Sequence, residues 1–430
     1  MALQMPADHQ PRYSDFNLTG LSDETMREGG ERALFGADDD LKLQLIEALA
    51  NAGIRDIDLG SGLTEPAFLR RVLDSKYLLG RIPEDTQFVF NLTLKTWEPL
   101  SEALKVVPRE YLSRIQVSLG MVEYKQEERL LERAHEKLTS IGVGSFRSSI
   151  LNAFSHEIDE ERYAFINEQI ERVRRLGINL VRVNDSIGTL LPHATGILAA
   201  NLVRDNPDVT FYLHAHDDIG LGLANSLASV FNGFSMVEGG VAGFGNRAGL
   251  ANVEVMSHIF ADRRITVGGR TLDSKKLSEV AHLAERVFMA LPNVYRPISG
   301  LLTQTENAGI VNVPDYLGVT REVEYFLNPI GLFPVTVGQI LGNAGMPEEI
   351  VTDEKFLAAV CDRIKGYMEK DLYERKRAQF EELVRQVHEF YADFVRLDDV
   401  QTTALEVLQE QGSATDVATA RAKAVVRSEG

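Results

Sequence analysis

Residues 178–185 read INLVRVND, residues 193–205 carry a helical pattern, and residues 209–218 read VTFYLHAHDD. The first and last stretches are short apolar runs rich in β-branched and aromatic side chains, and the middle one is amphipathic at helical spacing. Strand, helix and strand in that succession predict a βα crossover between two parallel strands. Working outward, the same alternation recurs in both directions. Downstream, a helical pattern over 219–233 leads into MVEGGVAGFG (236–245). Upstream lie strand candidates near 143–150, RIQVSLG (114–120), QFVFNLTL (87–94), IRDIDLGS (54–61) and a first strand near 17–24. Helical patterns near 38–52, 66–80, 97–107, 124–141 and 157–176 separate them. The run at 38–52 shows the logic: an acidic first turn, Leu41, Leu45, Leu49 and Ala52 on one stripe, then Gly53 as a stop. Eight βα units of this size predict an α/β fold, a (β/α)8 TIM barrel over residues 1–291.

Beyond the barrel the texture changes. Residues 292–345 carry scattered Pro and Gly and are expected to be a linker or subdomain contributing to the active site. Residues 346–430 are expected to form a mainly helical C-terminal extension, charged over 352–397 and Ala-rich over 400–426. Such a stretch is expected to pack on the barrel or on a second subunit.

Composition narrows the function. The 430 residues include 45 Lys and Arg against 63 Asp and Glu, a net charge of -18, which disfavours a phosphate-binding nucleic-acid face. Cys361 stands alone, so there is no intrachain disulfide framework, and a reducing, cytoplasmic setting is expected. The N-terminal residues lack the pattern of a secretory signal, and no uncharged apolar run reaches membrane-spanning length.

Three clusters fall at the predicted C-terminal ends of strands, where a barrel enzyme carries its chemistry. DETMREGGER (23–32) follows the first strand, YLHAHDD (212–218) ends the seventh, and GFGNRAG (243–249) leaves the eighth. His214 and His216 sit at i and i+2 on a strand, so both imidazoles leave the same face. Glu28, one strand away in a closed barrel, could complete a three-ligand open site for one divalent metal, Zn, Mn or Mg. A pair of hydrogen-bonded core histidines is the plainer alternative. Arg27 beside that carboxylate could stabilise a developing enolate oxygen, or form a structural ion pair with an acid such as Asp58.

Together these motifs resemble those of the homocitrate synthase and 2-isopropylmalate synthase group, the DRE-TIM metallolyases. DETMREGGER resembles D-[ST]-T-L-R-[DE]-G-E-Q, and LHAHDDIGLGLANSLASVFNG (213–233) resembles H-x-H-[ND]-x-G-x-A-x-A-N-[ST]-x-A-A. VNDSIGTLLP (183–192) is similar to D-T-x-G-x-x-x-P, and VAGFGNRAGLANVE (241–254) to the glycine loop G-x-G-E-R-x-G. The resemblance covers about residues 15–345. It implies Glu28, His214 and His216 as metal ligands and Arg27 as the arginine at the enolate oxygen. It places Asp58 where the family has Glu, Ser186 where a Thr binds the 2-oxo acid carboxylate, and Arg147 and Ser149 where homocitrate synthases grip a distal carboxylate. Arg147 could equally be an ion-pair partner at the barrel rim.

Departures accompany it. TENAGIV (305–311) is similar to T-H-K-A-G-I-H, with Glu306 and Val311 where the family has histidine. Glu306 could take over as base, and Tyr325 in YFLNP (325–329) could keep a role near the thioester. Asn246 replaces the Glu of the glycine loop and Glu31 the Gln of the first motif. The resemblance implies an acyltransferase of amino-acid biosynthesis that condenses acetyl-CoA, or another acyl-CoA, with a 2-oxo acid. It also implies a homodimer through the C-terminal extension. A carbon–carbon lyase or aldolase on the same metal is the alternative, weakened by the absence of a Cys from GFGNRAG; a non-catalytic relative is a third.

Overall fold

The computed structural model describes residues 13–60, 66–92, 97–121, 129–150, 158–303, 332–392 and 395–411. The chain forms two compact units, residues 1–305 and 306–430.

The first unit is a nearly closed (β/α)8 barrel. Its strands are β1 (Gly20–Asp23), β2 (Asp56–Asp58), β3 (Gln87–Leu92), β4 (Ile115–Met121), β5 (Ser145–Ile150), β6 (Leu180–Asp185), β7 (Thr210–Ala215) and β8 (Met236–Gly239). Each pairs in parallel with the next from β1 to β7, and β8 returns to pair with β1, with Ser22 opposite Glu238. Helix α1 (Thr25–Arg32) follows β1 directly, and α2 (Asp39–Asn51) is capped by Asp38, whose carboxylate accepts from Asp40 N and Leu41 N. That cap satisfies two of the orphan amides of a helix start.

The strands largely alternate. Leu21, Ile57, Phe88, Phe90, Val117, Leu119, Val181, Val183, Phe211, Leu213 and Val237 belong to the apolar core. The alternate positions on the same strands carry Ser22, Asp56, Asp58, Arg147, Ser149, Arg182, His214 and Glu238, all but Asp56 buried. The barrel axis is therefore polar. Charges withdrawn from water there persist only when paired, and these pairings decide what each end of the barrel can do.

Two boundaries differ from the sequence expectation. The strand expected near 17–24 is broken: Thr19 donates from both N and Oγ1 to the Ser235 carbonyl, at 2.7 and 2.8 Å, and Asn17–Leu18 pairs instead with Thr266–Val267. The strand expected over 236–245 ends at Gly239, after which Ala242 turns at φ 56° with its N–H on the Glu254 carboxylate.

The two units divide at 305, within the stretch 292–345 expected to link the barrel to the helical extension. Residues 292–303 fold back on the first unit, where buried Arg296 donates to Glu285 (2.6 Å) and to Ser299 Oγ (2.6 Å), which in turn donates to Glu254. In the second unit Pro334–Asn343 and Glu354–Gly366 share a small core of Leu332, Val337, Leu357 and Cys361. The latter helix runs through a π-helical stretch, Tyr367–Leu372, into Tyr373–Phe390, and Leu397–Glu410 follows. No described helix is long and apolar enough to cross a membrane.

Candidate metal centre

The site begins where β1 becomes α1 without a loop. The Asp23 carboxylate accepts from Thr25 N (3.1 Å) and Thr25 Oγ1 (2.9 Å) and pins the first turn. Glu24, Arg27, Glu28 and Glu31 then fall at helical spacing on one face, so all four are neighbours. Across the axis, His214 and His216 leave the end of β7 on one side.

Glu28, His214 and His216 converge, with their donor atoms within 4.8 Å of one another. His214 Nε2 lies 3.0 Å from His216 Nε2 and 3.1 Å from Glu28 Oε1, and His216 Nε2 lies 3.8 Å from the same oxygen. Donors about 2.1 Å from a common ion would stand roughly 3.0–3.4 Å apart, so the three atoms already have near-coordination spacing. One carboxylate and two imidazoles suit Zn, Mn or related divalent ions and leave positions open for a substrate.

The electrostatics agree with a cation site. Burial would raise the Glu28 carboxyl, but Arg27 and the two imidazoles hold it well below the ordinary range. Burial also opposes charge on His214, yet Glu238 and Glu28 outweigh it and push the imidazole up to about 9. His216 is pushed down to about 4 by burial and by its neighbour His214. Protein charges thus already favour a positive centre among these groups.

The glycine loop closes over the carboxylate. Asn246 N donates to Glu28 Oε2 at 3.1 Å, and a Cβ on Gly245 would stand 3.0 Å from that oxygen and 2.7 Å from Leu250. Gly245 is needed for this close approach.

Residues 114–286, which contain both histidines, match the HMGL-like family. These residues carry an HMGL-like domain. The chain is 27% identical over 307 residues to a homocitrate synthase of Sulfolobus acidocaldarius, covering 68% of this chain and 61% of that one. It is 25% identical over 302 residues to a 2-isopropylmalate synthase of Acetivibrio thermocellus, covering 67% and 57%. The chain therefore spans about three fifths of the length of the curated relatives it matches. An HMG-CoA lyase from Acinetobacter baumannii, solved with coenzyme A and 3-methylmalate, superposes with a TM-score of 0.52 at 18% identity. That alignment covers 69% of this chain and 98% of the lyase, a likeness of fold.

Arg27 lies beside the three converging side chains. It donates through Nη2 to Glu28 Oε1 at 2.7 Å, pairs through Nε with Glu24, and stands 3.7 Å from Asp58. Burial raises Asp58 well above the carboxylate range, with Glu24 adding to the shift, and its Oδ1 accepts from Gly60 N at 3.0 Å. Ser149 Oγ donates to Asn184 at 2.8 Å, and Ser186 follows β6, half-buried, its carbonyl accepting from Arg247 at 2.6 Å.

Arg147 is elsewhere. It points toward the N-terminal end of the barrel, where it pairs with Asp56 and donates to Gln116 Oε1 (2.5 Å), Ser22 Oγ (3.2 Å) and Tyr212 OH (3.4 Å). That is the geometry of the ion-pair alternative, with Asp56 at the start of β2 engaging the guanidinium inside the barrel. Glu306 and Tyr325 lie outside the described residues.

Sequence reasoning missed Arg182, Glu24 and Glu238, which are buried behind the triad. A signal existed: an arginine within VRVND and a glutamate within MVEGG are out of place in strands buried on both faces. The two departures Glu31 and Asn246 prove to be partners, with Asn246 Nδ2 donating to Glu31 Oε2 at 2.7 Å.

Proposed function

We propose that the protein is a divalent-metal-dependent acyltransferase performing a Claisen-type condensation of an acyl-CoA, acetyl-CoA first among them, with a 2-oxo acid. Hydrolysis of the resulting thioester by water would then release free CoA and a 2-hydroxy-2-alkyl dicarboxylate, or a tricarboxylate if the 2-oxo acid is itself dicarboxylic. The observation that carries this reading is the convergence of Glu28, His214 and His216 beside Arg27 at the C-terminal end of the barrel. A cation held by these three residues would supply Lewis acidity to the 2-oxo and carboxylate oxygens of the substrate.

The chain's own groups account for the rest. Arg27 is charged at any working pH, since its carboxylate neighbours raise it further against the opposing effect of burial. It can meet negative charge developing on an enolate or alkoxide oxygen. Asp58, held toward its neutral form, can donate a hydrogen bond. Ser186 and Ser149 are the candidates to orient the 2-oxo acid. Glu306 is the candidate base for the acyl methyl proton and Tyr325 a candidate neighbour of the thioester, both on the strength of their motifs.

Engagement of Arg147 by Asp56 removes the support for a dicarboxylic 2-oxo acid in particular. Loss of both motif histidines at Glu306 and Val311 favours one alternative, a carbon–carbon lyase or aldolase working on the same site. A homodimer is supported by the apolar stripe Phe380, Leu383, Val384, Val387 and Phe390, exposed along one helix of the second unit.

The deciding experiment supplies purified protein with a divalent metal, acetyl-CoA and a panel of 2-oxo acids, and follows thiol release. Release that depends on one 2-oxo acid is expected, and Glu306→Gln should lower it at least about 100-fold if Glu306 is the base. Silence across the panel, with cleavage of a hydroxy acid or its CoA ester instead, would replace condensation by the lyase reading.

A further inference from the structure

The two histidines of the triad are held differently. His216 Nδ1 has no hydrogen-bond partner among the described residues, and the Asp218 carboxylate is 3.9 Å away. His214 Nδ1 is pressed against Glu238 Oε1, both groups being buried.

Glu238 is itself anchored. Its second oxygen lies 3.4 Å from Arg182 Nη1, and the same nitrogen donates to Glu24 Oε1 at 2.8 Å. Arg182 Nε donates to Ser149 Oγ at 3.0 Å. The other oxygen of Glu24 takes Arg27 Nε, Arg27 reaches Glu28, and Glu28 reaches His214. The contacts therefore close into a ring: Arg27, Glu24, Arg182, Glu238, His214, Glu28 and back to Arg27. The ring joins β6, β7 and β8 to the start of α1.

Placing a guanidinium and two carboxylates in a dry barrel is costly, and apolar side chains of similar volume would stabilise the fold at least as well. Its position directly behind the donor atoms points to orientation. A carboxylate on the rear nitrogen of a ligating imidazole fixes the tautomer and the ring plane.

We infer that Glu238 and Arg182 are positioning residues for this site. Glu238 keeps the proton on His214 Nδ1, so that the Nε2 lone pair faces Glu28 and His216. Arg182 braces Glu238 on one side and, through Glu24, the guanidinium of Arg27 on the other. The inference rests on the metal-site reading above and adds to it the residues that aim its donors.

The test is Zn²⁺ affinity, measured by competition with a chromophoric chelator on the full chain. Glu238→Ala should weaken binding about 10–100-fold. Glu238→Gln, which retains an acceptor for Nδ1–H, should recover most of that loss, and a purely structural role predicts no such rescue. Arg182→Met should weaken binding about tenfold. In the Zn-loaded wild type, ¹⁵N-histidine NMR should find His214 protonated at Nδ1 and metallated at Nε2, a readout that requires no variant to fold. Wild-type affinity in His214→Ala would overturn the metal site itself. If His214→Ala loses the metal while folded Glu238→Ala and Arg182→Met bind like wild type, only the positioning inference falls; metallation at Nδ1 would overturn it as well.

Discussion

The two ends of the barrel axis both bury arginines among carboxylates, and they use them in opposite ways. At the N-terminal end Arg147 is saturated by Asp56, Gln116, Ser22 and Tyr212. A cavity of about 870 Å³ opens there, lined by Arg55, Asp56, Gln116 and Arg147 among others, yet its charged groups are matched to one another: Arg147 with Asp56, and Arg55 and Arg270 with Asp85. At the C-terminal end Arg27 and Arg182 are equally engaged, but their carboxylates are shared with Glu28, His214 and His216, whose donors converge on one point. Two imidazole nitrogens and a carboxylate oxygen lie 3.0–3.8 Å apart, a spacing at which one cation could engage all three. Arginine count, burial and cavity size do not separate a structural end from a chemical one. Convergence of lone pairs does.

Three measurements can break or sharpen this contrast. The largest effect is expected for His214→Ala, which should abolish stoichiometric divalent-metal binding in calorimetry; retained stoichiometry would erase the distinction between the ends. Next comes Arg147→Met. Leaving Asp56 without its partner should cost roughly 3–5 kcal/mol in urea unfolding while Zn²⁺ affinity stays within about twofold of wild type. A loss of substrate binding without loss of stability would return Arg147 to the substrate.

The third measurement concerns Asp23, which ties β1 to α1, and its effect is smaller over any single pH unit. Burial pushes its carboxyl up to about 8, against the opposing hydrogen bonds from Thr25. An acid whose folded pKa exceeds its unfolded value near 3.9 stabilises fully below pH 4 and loses that contribution as pH rises through 8. Stability to urea should therefore fall between pH 5 and pH 8, by up to about 1.4 kcal/mol per pH unit. Asp23→Asn, which keeps an acceptor for Thr25 N, should flatten the slope; an unchanged slope would mean Asp23 is ionised in the folded state.

Much of the architecture was legible because parallel strands buried on both faces leave short, spaced apolar runs. Helix α2 was readable to within a residue from its acidic cap and glycine stop. The break at Thr19 was not, because it depends on a carbonyl of Ser235 far along the chain. The convergence of Glu28, His214 and His216 was legible because i, i+2 spacing on a strand dictates a common face, and because Glu28 follows β1 at once. The fate of Arg147 was not. Its motif spacing matched a substrate-gripping pattern, and only the approach of Asp56 from another strand directed the guanidinium down the barrel instead.

The amino-acid sequence by itself determined the alternation of strands and helices, the inward faces of β6, β7 and β8, and the identity of the three candidate donors. Those are properties of local periodicity, which backbone geometry enforces within a few residues. Tertiary structure alone decided which buried charge answers which. Charge pairing inside a low-dielectric barrel is set by distances between strands remote in sequence, and an ion withdrawn from water takes whichever partner the closed barrel brings within reach. That is why Glu238 and Arg182 stand behind His214, while Arg147, two residues before Ser149 on β5, serves the opposite end.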